Sequence, residues 1–178
     1  MHVNDIIQGC LAGDTSCQKQ LFDRLSGKMM GVCMRYSRDK MEAEDLLQEC
    51  FIKVYLNLAT YKNDGPFELW VRRIIINTSI KRYHKMSYQN ESPSSDFLPE
   101  RQTSASAHDG ILYEELLGLV NELPDGYRVV FNLYAIEGFS HKEIGELLNI
   151  KEATSRSQLV KARMVLQEKI TKSQKIVI

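Results

Sequence analysis

The chain has 178 residues, 43% hydrophobic and 26% charged, and its 23 basic residues are balanced by 23 acidic ones. That length suits one domain or two small ones, and the composition excludes a mostly disordered chain or a uniformly basic nucleic-acid coat. Four prolines and ten glycines favour helix over sheet, and no apolar run approaches the roughly 18 residues that cross a bilayer, so no membrane insertion is expected.

The spacing of apolar residues predicts four helices in the N-terminal half. A short one covers about Asn4 to Leu11 and ends near Gly13-Asp14. Its start, MHVNDIIQG, has neither the basic opening nor the apolar stretch of a secretory signal. The second runs from about Ser16 to Tyr36, with Leu21, Leu25, Met29, Val32 and Tyr36 on one stripe. The third starts with Asp39 as N-cap and Glu42 three residues on, a capping box, and continues to about Thr60 through Leu46, Leu47, Phe51, Val54, Tyr55 and Leu58. Glu42, Glu44, Asp45 and Glu49 against Lys53 make it acidic, which suits a protein partner rather than DNA. The fourth follows the turn Lys62-Asn63-Asp64-Gly65-Pro66 and runs to about Lys85. Phe67, Trp70, Val71, Ile74, Ile75 and Thr78 form its core face. Arg72, Arg73, Ile76, Ile80 and Tyr83 lie opposite, so either a third layer or a partner covers the apolar members of that face. From Gly65 to Lys85 the net charge is +4, from Arg72, Arg73, Lys81, Arg82 and Lys85 against Glu68. Interleaved with Phe67, Trp70 and Tyr83, this is either a surface for phosphates and unpaired bases or a cationic solvated face closing a helix C-terminus.

Ser87 to Asp109 reads SYQNESPSSDFLPERQTSASAHD, polar and without helical period, hence a flexible linker of net charge −3. The expected division is a domain at 1–86, a linker at 87–109 and a domain at 110–178. Beyond it, Ile111 to about Leu123 is an acidic helix. Pro124 opens another to about Ile136, with Val129, Val130, Leu133 and Ile136 as its stripe, and Glu137-Gly138-Phe139 breaks it. Ser140 and Glu143 form a second capping box for a short helix to about Leu148, and Asn149-Ile150-Lys151 turns into a last helix from Glu152 to about Thr171. A short capped helix, a tight turn and a longer basic helix make a helix-turn-helix, glued by Ile144, Leu147, Leu148, Ile150 and Leu159. The segment Lys151 to Lys172 carries net +4, and Thr154, Ser155, Arg156 and Gln158 are the expected exposed readers of bases and phosphates. The fold class expected is all-α: two small helical domains joined by a flexible linker.

Enzymatic chemistry has little support. Cys10, Cys17, Cys33 and Cys50 contain no CxxC pair and read as buried free thiols rather than a zinc site or disulfides. The four histidines are scattered, and the phosphate-loop, dinucleotide and serine-hydrolase motifs are missing. No metal, cofactor or small-molecule substrate is expected. Two other classes stay open on the residues alone. One is a free-standing helix-turn-helix regulator, although no heptad seam for a dimer is present. The other is a helical enzyme using Cys33 or Cys50, which has no His or Asp partner at suggestive spacing.

Three stretches carry a family resemblance. Ala43-Glu44-Asp45-Leu46-Leu47-Gln48-Glu49-Cys50-Phe51-Ile52-Lys53-Val54-Tyr55 resembles the core-binding helix of bacterial sigma factors. Phe67-Glu68-Leu69-Trp70-Val71-Arg72-Arg73-Ile74 with Asn77 resembles their promoter-melting helix. Leu123-Pro124, Glu137-Gly138-Phe139-Ser140-His141-Lys142-Glu143-Ile144 and Thr154-Ser155-Arg156-Ser157-Gln158-Leu159 with Lys161-Ala162-Arg163 resemble their upstream-element reader. Two such domains with nothing else resemble the extracytoplasmic-function, or group IV, sigma factors of the sigma-70 family. The resemblance implies a cytoplasmic bacterial protein that partners core RNA polymerase and promoter DNA, double-stranded at −35 and single-stranded at −10, with an anti-sigma factor or other recruiting regulator. It implies that Asp45, Leu46, Gln48, Glu49, Phe51 and Lys53 dock on polymerase. Tyr61, Lys62, Asn63 and Asp64 would capture a flipped −10 base, with Asn57 and Asn77 near that pocket and Trp70 as the melting aromatic. Arg73 and Lys81 join them from the basic helix face. Arg156, Ser157, Val160 and Lys161 would contact −35 DNA, with Arg163 nearby. Ala153, Ser155, Gln158 and Arg72 depart from the common pattern, which bears on the bases read rather than on the role.

Overall fold

The computed structural model describes residues 3–89 and 110–175, apart from the side chains of 88–89, 111–113 and 173–175. The described elements are helical throughout, and the chain divides into two compact units, Met1–Lys81 and Arg82–Ile178.

In the first unit, α1 (Val3–Leu11) packs on α2 (Thr15–Tyr36), and α2 packs on α3 (Lys40–Asn57). The α1–α2 hairpin turns at Gly13, whose φ of 83° suits a residue without Cβ. Gly9 permits the close approach, since a Cβ there would lie 2.3 Å from Cys17 Sγ. Asp14 caps α2, accepting from Ser16 N at 2.8 Å and Cys17 N at 3.4 Å, and these backbone donors pull its carboxyl below the usual range. Asp39 caps α3 as the sequence predicts, accepting from Glu42 N at 2.8 Å, and the Glu42 carboxylate reaches back to accept from Arg38 N at 2.7 Å. Leu21, Leu25, Met29, Leu46, Leu47, Phe51, Val54, Val71 and Ile75 fill the core. Each such burial is worth roughly 1.5–3 kcal/mol. A 3₁₀ turn (Leu58–Thr60) ends α3, and α4 (Phe67–Gln89) follows the loop, its residues up to Lys81 belonging to this unit and those from Arg82 on to the second. Helix α4 continues through residues 87–89 of the expected linker, whose remaining residues 90–109 lie outside the described ones.

In the second unit, α5 (Gly110–Asn121) leads to α6 (Asp125–Phe131), which runs on as a π turn (Asn132–Ile136). Arg128, 4% exposed, fixes the α5–α6 corner: it pairs with Asp125 at 2.7 Å and donates to Asn121 O at 2.9 Å. Leu133 is buried, but Ile136 is 39% exposed, against expectation. The wider π turn adds a residue to the circuit and rotates Ile136 off the apolar stripe. Helix α7 (His141–Leu148) opens with the expected capping box, Ser140 and Glu143 each bonding the other's backbone. It ends at Asn149 in the left-handed region, φ 53°, and α8 (Glu152–Lys175) begins three residues later. The turn is tight because Gly145 faces it: a Cβ there would meet Ile150 O at 2.9 Å. Ile144, Leu148, Leu159 and Ala162 are buried between α7 and α8, while Leu147 and Ile150 are half-buried.

Candidate polymerase and promoter interfaces

Helix α3 has two distinct faces. Leu46 and Phe51, expected to dock on polymerase, are 1% and 3% exposed. Phe51 stacks edge-on against Phe22 at 4.7 Å, and Leu46 and Phe51 are both core residues of the chain rather than surface ones. Asp45 and Gln48 are exposed, Glu49 half-buried. Lys53 is paired with Glu49 and donates to Thr78 Oγ1 at 3.2 Å, which ties it inward toward α4. The outward stripe instead holds Met41, Asp45, Gln48, Ile52 and Leu56, which recur at three, four or seven residues. Met41, Ile52 and Leu56 are 72%, 60% and 78% exposed. The sequence contained the signal: these are the apolar residues of α3 left over from its core stripe. Tyr55 donates to Gln18 O at 2.9 Å, and burial first, then Cys10, pushes its hydroxyl pKa up to about 12.

The loop between the 3₁₀ turn and α4 is held by its own aromatic. The Tyr61 ring packs on Phe67 at 5.0 Å and Trp70 at 5.6 Å, and its hydroxyl donates to Gly65 O. Asn63 sits at φ 59°, a turn conformation that asparagine tolerates. Asn57 folds back to donate to Lys53 O at 2.7 Å, satisfying an end carbonyl of α3. Lys62 and Asp64 point to solvent. A cavity of about 360 Å³ is lined by Tyr61 and Asn63 together with Asn4, Arg24, Phe67 and Glu68. Asn77 is not part of its lining, so that cavity is not the expected pocket of Asn77 with the loop. Asn77 lies instead on an α4 stripe with Trp70, Arg73 and Lys81. Arg73, Asn77 and Lys81 are exposed, and Trp70 is half-buried, neither a core residue nor a free one. Ile76 and Ile80, apolar residues on the other face, are buried.

On α8 the structure divides the expected readers. Arg156, Ser157, Val160, Lys161 and Arg163 face outward, Val160 being 55% exposed. Arg156 pairs with Glu152, and this hydrogen bond holds the Glu152 carboxyl below its usual range. Ser155, expected to be exposed, has 0% exposure; its Oγ lies 2.9 Å from His141 Nδ1. Gln158 also turns inward, its amide 3.4 Å from where a Cβ on Gly126 would sit, and its Oε1 is buried. Thr154 is half-buried. The outward face adds two residues that sequence reasoning did not assign to it, Ala153 and Met164, the latter 64% exposed. Charge and apolar surface thus alternate on a helix that a tight turn holds against α7, the arrangement that enters a DNA major groove.

Comparison with known proteins gives these surfaces a setting. Residues 21–87 match sigma-70 region 2, and residues 113–166 match sigma-70, region 4. The order of the two matches defines a transcription initiation factor of the sigma-70 type, with a helix-turn-helix in the second region. The ECF RNA polymerase sigma factor SigW of Bacillus subtilis is 30% identical over 182 residues, spanning 96% of this chain and 97% of its own. SigM of the same organism is 32% identical over 74% of this chain and 81% of its own. RNA polymerase sigma-H factor of Pseudomonas aeruginosa is 27% identical over 92% and 91%. A solved structure of the sigma factor RpoE in complex with the anti-sigma factor NepR, from Bartonella quintana, shares the fold at TM-score 0.52 and 18% identity, over 86% of this chain and 96% of that one. The chain belongs to the ECF family of RNA polymerase sigma factors.

Proposed function

We propose that this chain docks on core RNA polymerase through the outer stripe of α3, reads a −35 element with the outward face of α8, and helps open the −10 region with α4 and the loop before it. The observation that carries the reading is the outer stripe of α3. Met41, Ile52 and Leu56 are widely exposed beside Asp45 and Gln48, and a contiguous apolar and acidic surface suits a protein partner. DNA then meets the two positive segments, one on α4 and one on α8. On α4, Arg73 and Lys81 hold phosphates while Trp70, Asn77 and the Tyr61–Asp64 loop retain an unstacked base. Trapping that base offsets a few kcal/mol of unstacking, and no bond chemistry, metal or cofactor is required. The protein acts in the bacterial cytoplasm, where promoter DNA and polymerase are. An anti-sigma factor is a partner by analogy with the solved relative bound to one.

Run-off transcription tests the reading. Core polymerase with this protein should yield discrete promoter-dependent transcripts that neither component gives alone. A protein that binds promoter duplex without core polymerase and adds no initiation when core is present is instead a free-standing helix-turn-helix regulator.

A further inference from the structure

We infer that Tyr134, His141 and Arg163 form a clamp for a DNA backbone phosphate beside the reading face of α8, an inference that rests on the proposed −35 reading. The three residues come from three elements: the π turn, the first residue of α7 and the middle of α8. The His141 ring stacks on the Tyr134 ring with centroids 4.4 Å apart and planes 17° apart. The Arg163 guanidinium sits over the same Tyr134 ring at 5.9 Å. Tyr134 is 36% exposed and Arg163 exposed, so the cluster borders solvent.

His141 supplies the third donor, and Ser155 fixes how. Ser155 is fully buried, and its Oγ lies 2.9 Å from His141 Nδ1. The tautomer we assign has the Ser155 hydroxyl donating to Nδ1, so that Nε2 carries the ring hydrogen. A phenol, an imidazole N–H and a guanidinium then belong to one cluster around the Tyr134 ring, and each can donate a hydrogen to an anionic oxygen. This accounts for the inward Ser155: it anchors a backbone contact instead of reading a base. The charged groups facing the ring are Arg156, Glu152 and Arg163 from α8, and the π turn contributes Tyr134. Desolvation first, then Arg156, hold the His141 pKa below its usual value in the free protein. A phosphate placed opposite the ring favours the protonated form and pushes the pKa back up. DNA binding would therefore take up a proton, and affinity would rise as pH falls.

The test uses holoenzyme reconstituted from core RNA polymerase and the full chain, with a randomised duplex library as probe. Tyr134→Phe and His141→Phe keep the ring stack and remove the polar atoms. Each should weaken binding by about two- to tenfold on every selected sequence, the range one net hydrogen bond gives, with base preferences unchanged. Arg163→Gln should also lower the salt slope by about 0.9, one released counterion. From about pH 8 to about pH 6 the wild type should tighten, and His141→Phe should lose that gain. Circular dichroism checks that each variant folds. If His141→Phe unfolds, Tyr134→Phe carries the test. A wild-type holoenzyme that enriches no sequence refutes the −35 reading itself. One that enriches a −35 sequence bound equally well by the Tyr134→Phe and Arg163→Gln variants overturns the clamp alone, as does a change in preference at one base pair.

Discussion

Neighbouring residues on α3 should respond to alanine in opposite ways. Phe51 is 3% exposed and packed edge-on against Phe22, so Phe51→Ala leaves a cavity costing about 3–5 kcal/mol. A unit of this size loses about 4 °C or more per kcal/mol, so its melting midpoint should fall by more than about 10 °C. Ile52, the next residue, is 60% exposed and contributes little to folding. Full burial of an isoleucine is worth about 1.5–3 kcal/mol, and the exposed share is what docking can still bury. Ile52→Ala should therefore cost about 1–2 kcal/mol of polymerase affinity, a loss of about five- to thirtyfold, while the melting midpoint stays put. Thermal melting followed by circular dichroism reads the first effect. Competition of the variant with labelled wild type for core polymerase reads the second. If Ile52→Ala binds polymerase as the wild type does, or if Phe51→Ala melts unchanged, the division of α3 into an inner and an outer face is wrong.

Arg156→Ala should cost about 1–3 kcal/mol at a single base pair of the −35 element; a matrix of promoter mutants reads this, and an equal loss on all sequences would make Arg156 a phosphate contact. Asn77→Ala should leave closed-complex formation intact and reduce strand opening, and a template already mismatched across −10 should restore transcription. Permanganate footprinting follows the opening, and equal failure on both templates would remove Asn77 from that step. Because the folded-state pKa of His141 is depressed, the unfolded chain binds more protons there, so stability should fall as pH drops below about 6.5. Urea melts across that range should show the slope shrinking in His141→Phe, and a slope of opposite sign would refute the assignment.

Features set within three or four residues were legible in the sequence. The Ser140 and Glu143 cap requires only its own turn, and it forms as expected. Asp39 caps α3 for the same reason. The core stripes of α2 and α3 follow helical period and one buried side. Features set by distant partners were not legible. Ser155 looks like a solvent-facing reader until His141, fourteen residues earlier, is brought within 2.9 Å of it. Leu46 and Phe51 lie in a motif that resembles a docking helix, yet the apolar residues of such a motif serve its interior, and Ile52 and Leu56 take the outside. Ile136 fits a 3.6-residue stripe, and only the π turn, which no propensity announces, moves it out.

All four cysteines of the chain lie in the first unit, at 10, 17, 33 and 50, and all are buried. Burial raises the Cys10 pKa first, with Cys17 and Asp14 adding to the rise, and burial likewise raises that of Cys17, so these two thiols hold little thiolate at neutral pH. A thiol-specific reagent must therefore wait for the first unit to breathe, and the second unit is silent to it. The alkylation rate becomes a clock for opening of one unit alone, in the intact chain and without an added label. Cys33 and Cys50, both at 0% exposure, time the deepest openings, while Cys10 and Cys17, at 7% and 8%, time the fraying of the α1–α2 hairpin.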